Sequence, residues 1–163
     1  PPTTPFMSWS YDLVANMLAA LTECELTPEC THIWPGCTPP LEYEYGGCDK
    51  RMWVTFSEGN GNTERIGCDG PFEQSVTVTL WLKQCDPAFD AAGYLPDNLA
   101  ETAEASAQHP TDIIDMLQQW IARSCEGNCI NGCWSGLIGQ WTCDDKQDGA
   151  CAVRTLRIYF VRS

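Results

Sequence analysis

Basic residues are scarce in this chain. Nine lysines and arginines stand against 22 aspartates and glutamates, for a formal net charge of −13 and a pI near 4.3. Nucleic-acid-binding modules cluster lysine and arginine on one face, so the composition excludes that class and describes a soluble acidic surface that repels DNA. Histidine is rarer still. His32 and His109 are far apart, which removes paired-histidine zinc knuckles and leaves a cysteine nucleophile without an obvious base. No apolar run approaches the ~18 residues of a membrane span, and no internal repeat occurs. The opening Pro1-Pro2-Thr3-Thr4-Pro5 lacks the basic and apolar regions of a secretory signal. Export, if any, is therefore expected by another route.

Cysteine, by contrast, is abundant: eleven in 163 residues. Seven tryptophans and five tyrosines exclude a disordered acidic tail. A chain of about 150 residues buries roughly two thirds of its unfolded surface without cross-links, so one domain is expected and cysteine is not needed to fold it. Dense cysteine is rare where thiols stay reduced, which points to synthesis in one compartment and service in another, or to metal. The tightest cluster, Cys125-x3-Cys129-x3-Cys133, lacks the CxxC pairing of structural zinc sites, and no bound metal or cofactor is expected. His109, before Pro110, fits an exposed turn, and His32 a loop beside Trp34.

Disulfides are the better account of the cysteines. An odd number leaves at least one thiol free, buried or paired with another chain. Cys24, Cys30, Cys37 and Cys48 are placed to tie down one irregular segment, and Cys125, Cys129, Cys133, Cys143 and Cys151 a second. Cys143 and Cys151 flank a predicted turn that a local bridge would close. Cys85 ends an apolar strand, where a buried thiol and a bridge are equally acceptable.

Periodicity predicts the elements. Residues 1–8 form an arm, and 9–163 a single domain. Ser8 or Ser10 caps a helix over 9–24, with Leu13, Val14, Met17, Leu18 and Leu21 on one stripe. Prolines between Cys24 and Cys48 exclude a central strand or helix interior. Met52, Val54 and Phe56 mark a strand over 51–56; Ser57–Gly70 is a loop carrying Glu58, Glu64 and Asp69. The clearest strand, 72–85, points Val76, Val78, Leu80 and Leu82 one way and Ser75, Thr77, Thr79, Trp81 and Lys83 the other. Asp97 or Asn98 caps a helix to about Gln108, with Glu101 near its start. Pro110 and Thr111 open another over 111–124, with Ile113, Ile114, Leu117, Trp120 and Ile121 on one face, or the two form one kinked helix. Trp134, Leu137 and Ile138 hint at a strand continuing through Trp141-Thr142. The last strand, 152–161, sets Leu156, Ile158 and Phe160 against Thr155, Arg157 and Tyr159. The order predicts an α+β fold: one mostly antiparallel sheet against two main helices, with cysteine-rich irregular loops.

No catalytic constellation emerges. Gly59-Asn60-Gly61-Asn62 lacks the lysine of a phosphate-binding loop. Asp144-Asp145 sits in a predicted turn, and Glu42 and Glu44 flank tyrosines in a loop, all as solvated surface. The expectation is a non-enzymatic protein.

The layout has a resemblance. A first helix runs into Cys24-x5-Cys30-x6-Cys37 through Trp34-Pro35-Gly36, and Gly46-Gly47-Cys48 precedes the first strand. A central strand ends in Lys83-Gln84-Cys85-Asp86-Pro87. A helical segment rich in small residues follows, then cysteine- and glycine-rich residues before the final strand. This ordering resembles small cysteine-rich proteins encoded among the virion assembly genes of long-tailed actinobacterial phages. Its topology is similar to the tail-terminator family, whose members form a ring capping the tail tube below the head. The resemblance implies a homo-oligomeric ring, a hexamer, that contacts the tail tube protein and a head–tail connector protein. It also implies synthesis in the bacterial host cytoplasm, residence in the virion, and DNA passing without specific binding. A head-completion or stopper connector fits the same layout. A secreted disulfide-rich binding module, its signal already removed, and a zinc-stabilised cytosolic adaptor are the alternatives from other classes.

Overall fold

In a computed structural model, residues 5–41, 50–60, 74–85, 97–127, 134–148 and 151–162 are described. The first helix, α1 (Pro5–Glu23), starts earlier than the capping serines predict. Proline is accommodated in a first helical turn because its missing N–H would lack a partner there anyway. Residues 5–8 of the expected arm are therefore helical, and Ser10 lies inside the helix, buried, with its hydroxyl donating to the Glu58 carboxylate.

The helix ends in a Schellman motif. Glu25 takes the left-handed conformation at φ 57°. Its N–H donates to Thr22 O at 3.0 Å, and the Leu26 N–H reaches Leu21 O at 3.0 Å. Leu26 packs on the core, and its carbonyl lies 2.6 Å from His109 Nε2. His109 is thus half-buried against the α1 exit and is not the exposed turn residue expected from sequence.

Next comes β1 (Cys30–Ile33), which pairs in parallel with β2 (Lys50–Asn60). A strand inside the proline-rich connector was not expected. It fits because Cys30–Ile33 contains no proline and occupies the sheet edge, the position such segments tolerate. The antiparallel strands β3 (Gln74–Cys85) and β6 (Cys151–Arg162) continue the sheet. Met52, Val54, Val76, Val78, Leu80, Leu82, Leu156, Ile158 and Phe160 are buried on one face, as the alternation predicts.

That face carries both helices. Leu13, Val14, Met17 and Leu21 of α1 and Ile113 and Leu117 of α2 (Leu99–Gly127) complete the core. The second helix runs through Pro110 as one 29-residue element. Proline removes one backbone donor, and side chains bridge the site. Gln108 Nε2 donates to Asp112 Oδ1 at 2.7 Å, and the Thr111 hydroxyl to Ala107 O at 3.1 Å. Just beyond Pro110, Ile113 and Leu117 are buried in the core.

The far edge holds β4 (Trp134–Ile138) and β5 (Thr142–Asp148), both paired with β6. Ile138 lies opposite Ile158 and Thr142 opposite Thr155. Residues 139–141 therefore face only Leu156 and Arg157, a one-residue bulge. The Gly139 N–H donates to Arg157 O at 2.8 Å just before it. The extra residue reverses the alternation and brings Trp141 onto the core side, where its indole N–H donates to Pro110 O at 3.0 Å.

Candidate functional site

Strand alternation leaves a second sheet face, and its two halves differ. On the β1–β2 side, residues 34–41 fold over it. Trp34 meets Trp53 edge-on at 5.6 Å, His32 lies 5.3 Å from the same ring, and Lys83 Nζ donates to Leu41 O at 2.6 Å. Arg51, Trp53, Thr55 and Lys83 are consequently buried.

The β3–β6–β4 half is open. Thr77, Tyr159 and Leu137 stand side by side in register. Leu137 is 71% exposed and Tyr159 45%. Arg157, also exposed, precedes Tyr159 by two residues on the same face of β6, about 7 Å away. No position of this face on β2, β3, β4 or β6 is acidic. Glu58, the one carboxylate in β2, β3 and β6, lies on the helical side under Ser10.

The helical layer has the opposite charge. α1 and α2 contain Asp12, Glu23, Glu101, Glu104, Asp112, Asp115 and Glu126 against the single cation Arg123. The long strands β2, β3 and β6 contain Lys50, Arg51, Lys83, Arg154, Arg157 and Arg162, six of the chain's nine basic residues. β5 departs from this pattern, with Asp144, Asp145 and Asp148 against Lys146. Of the six cations on the long strands, only Arg157 is exposed on the open face: Arg51 and Lys83 are buried on the covered half, and Lys50, Arg154 and Arg162 alternate to the helical side.

Between the helices runs an open groove of about 540 Å³, walled by Leu13, Ala20, Met116, Trp120 and Trp134, with Asn16, Glu23 and Arg123 also lining it. Trp120 and Trp134 stack at 5.2 Å, and Phe160 meets Trp134 edge-on at 5.3 Å. Gly136 permits this arrangement, because a Cβ there would come within 2.9 Å of Ile121 Cδ1 and 3.0 Å of Phe160 Cε1.

Among the cysteines whose side chains are described, only Cys24 lines this groove. Cys24, Cys37 and Cys143 are exposed free thiols. Cys24 Sγ donates to Met116 Sδ at 3.5 Å, on the groove wall. Cys30 is disulfide-bonded. A local Cys143–Cys151 bridge is not formed, and the ladder explains why. Cys143 lies opposite Arg154, and Cys151 opposite Asp148 and Cys85. Three residues of strand span about 10 Å, whereas a disulfide needs Cα atoms within about 7 Å. Cys48, Cys68, Cys129 and Cys133, together with the side chains of Cys85, Cys125 and Cys151, lie outside the described residues, as do Glu42, Glu44, Asn62, Glu64 and Asp69.

Among the described residues, no group of three or more His, Cys, Asp or Glu could hold a metal ion, and no helix is long and apolar enough to cross a membrane. Sequence alternation had already turned Arg157 and Tyr159 away from the core. It assigned no face to Leu137, because the facing of a five-residue strand containing glycine depends on its partner. No protein-family model matches the chain, and no curated protein is similar to it in sequence.

Proposed function

We propose that this chain is a non-enzymatic structural protein of a phage virion. It assembles into a homo-oligomeric ring at the head–tail junction and caps the tail tube as a tail terminator. The observation that carries this reading is the architecture: helix, strands, helix and strands built on one sheet, with helices on a single face and part of the other open. The resemblance to terminators rests on that order of elements together with the cysteine placement in the sequence. An exposed apolar pair on the open sheet face fits a subunit that buries surface against neighbours.

The strong negative charge supports a conduit role. DNA sliding through an acidic ring meets repulsion and not adhesion. The neighbours in this reading are the tail tube protein on one side and a head–tail connector protein on the other. Synthesis takes place in the host cytoplasm, followed by incorporation into the particle.

Cryo-electron microscopy of the purified virion, with the chain tagged, tests the proposal. A closed ring of this chain between tail tube and connector is the expected result. A ring next to the portal would assign it instead to head completion, and absence from the particle would refute a virion role.

A further inference from the structure

We infer that the open sheet face at Leu137, Tyr159 and Arg157 is a docking surface for the helical layer of a second copy of this chain. The inference deepens the ring reading and rests on it only for closure of the array. Leu137 and Tyr159 are adjacent across the β4–β6 ladder and well exposed, an apolar pair that no described residue covers. Arg157 sets a cation beside them.

The chain itself carries a matching surface. The groove between α1 and α2 offers apolar walls from Leu13, Ala20, Met116 and Trp120, within a layer dominated by carboxylates. Pairing like with like is disfavoured. Two sheet faces would bring Arg157 toward Arg157, and two helical faces would bring carboxylates together. Sheet against helices sets Arg157 against the carboxylate-rich layer and seats the exposed leucine and tyrosine in an apolar groove. Contact between two different faces is heterologous, and such contacts propagate into rings when the rotation closes. Arg123, also on the groove, makes its local charge mixed, so the orientation is set by the whole layer and not by one ion pair.

The experiment uses the purified full-length chain, with sedimentation velocity and native mass spectrometry at about 50 mM and 500 mM salt, where screening lengths differ severalfold. Wild type self-associates, more weakly at high salt. Arg157→Glu and Leu137→Asp each weaken association about tenfold or more, while their thermal transitions stay at the wild-type value because both residues are exposed. Reversing Glu23 and Asp115 to lysine also weakens it, and combining that reversal with Arg157→Glu restores part of the loss.

A monomeric wild type overturns the inference, as do variants that associate unchanged. Loss with Leu137→Asp but none with the helical reversal also overturns it, since the sheet face would then be pairing with itself. If virions hold a ring that Arg157→Glu leaves intact, the docking surface is wrong and the terminator reading stands. If the contact is confirmed but the chain is absent from virions, the reverse holds.

Discussion

The indole N–H of Trp141 donates to the carbonyl oxygen of Pro110 at 3.0 Å. It ties the bulged edge of the sheet to α2 at the one position where that helix lacks a backbone donor. Trp141→Phe keeps most of the ring and removes the bond. A loss of about 1 kcal/mol is expected in urea unfolding, and a larger one for Trp141→Ala. No change with phenylalanine would mean that the contact is incidental.

Leu80 is completely buried at the centre of the sheet, between Val54 and Leu156. Leu80→Ala should cost roughly 2–5 kcal/mol, the range for a core leucine whose cavity only partly collapses. Chemical denaturation measures it, and a loss below about half a kcal/mol would place Leu80 outside the core, where surface changes fall.

Gly136 lies opposite Phe160 with Ile121 above it. Gly136→Ala forces the aromatic cluster apart and should cost about 1–3 kcal/mol through overpacking. Ser135→Ala, one residue away and exposed, should stay within about half a kcal/mol of wild type. A thermal melt of the pair distinguishes local strain from a general intolerance of β4.

Glu25 sits at φ 57°, a conformation that costs a side-chain-bearing residue steric energy. Glu25→Gly relieves the strain but adds freedom to the unfolded chain. The balance expected is a gain of about 0.5–1 kcal/mol, read as a raised transition temperature. A decrease would show that the glutamate side chain stabilises the turn by more than the strain costs.

Thiol chemistry checks the cysteine assignments. Brief alkylation of the native, unreduced protein should label Cys24, Cys37 and Cys143 and spare Cys30. Peptide mapping reads the result. Labelling of Cys30 without reductant would remove its disulfide, and protection of Cys143 would contradict its exposure.

The amino-acid order by itself determined the facing of the long elements. Val76, Val78, Leu80 and Leu82 alternate because a pleated strand repeats every two residues, and Leu13, Met17 and Leu21 recur at helical spacing. These local periods also made the class legible, one mostly antiparallel sheet beneath two helices. Tertiary structure decided what depends on residues distant in sequence. α1 begins at Pro5 and hides Ser10 because Glu58, 48 residues on, accepts its hydroxyl. α2 passes through Pro110, bridged there by side-chain bonds and buried just beyond it at Ile113 and Leu117. The bulge that carries Trp141 to the core is visible only in the register with β6. So is the juxtaposition of Leu137, Tyr159 and Thr77, on three strands whose pairing no local pattern specifies. Alternation says which side chains share a face; only the folded chain shows which half of that face residues 34–41 cover and which half they leave open.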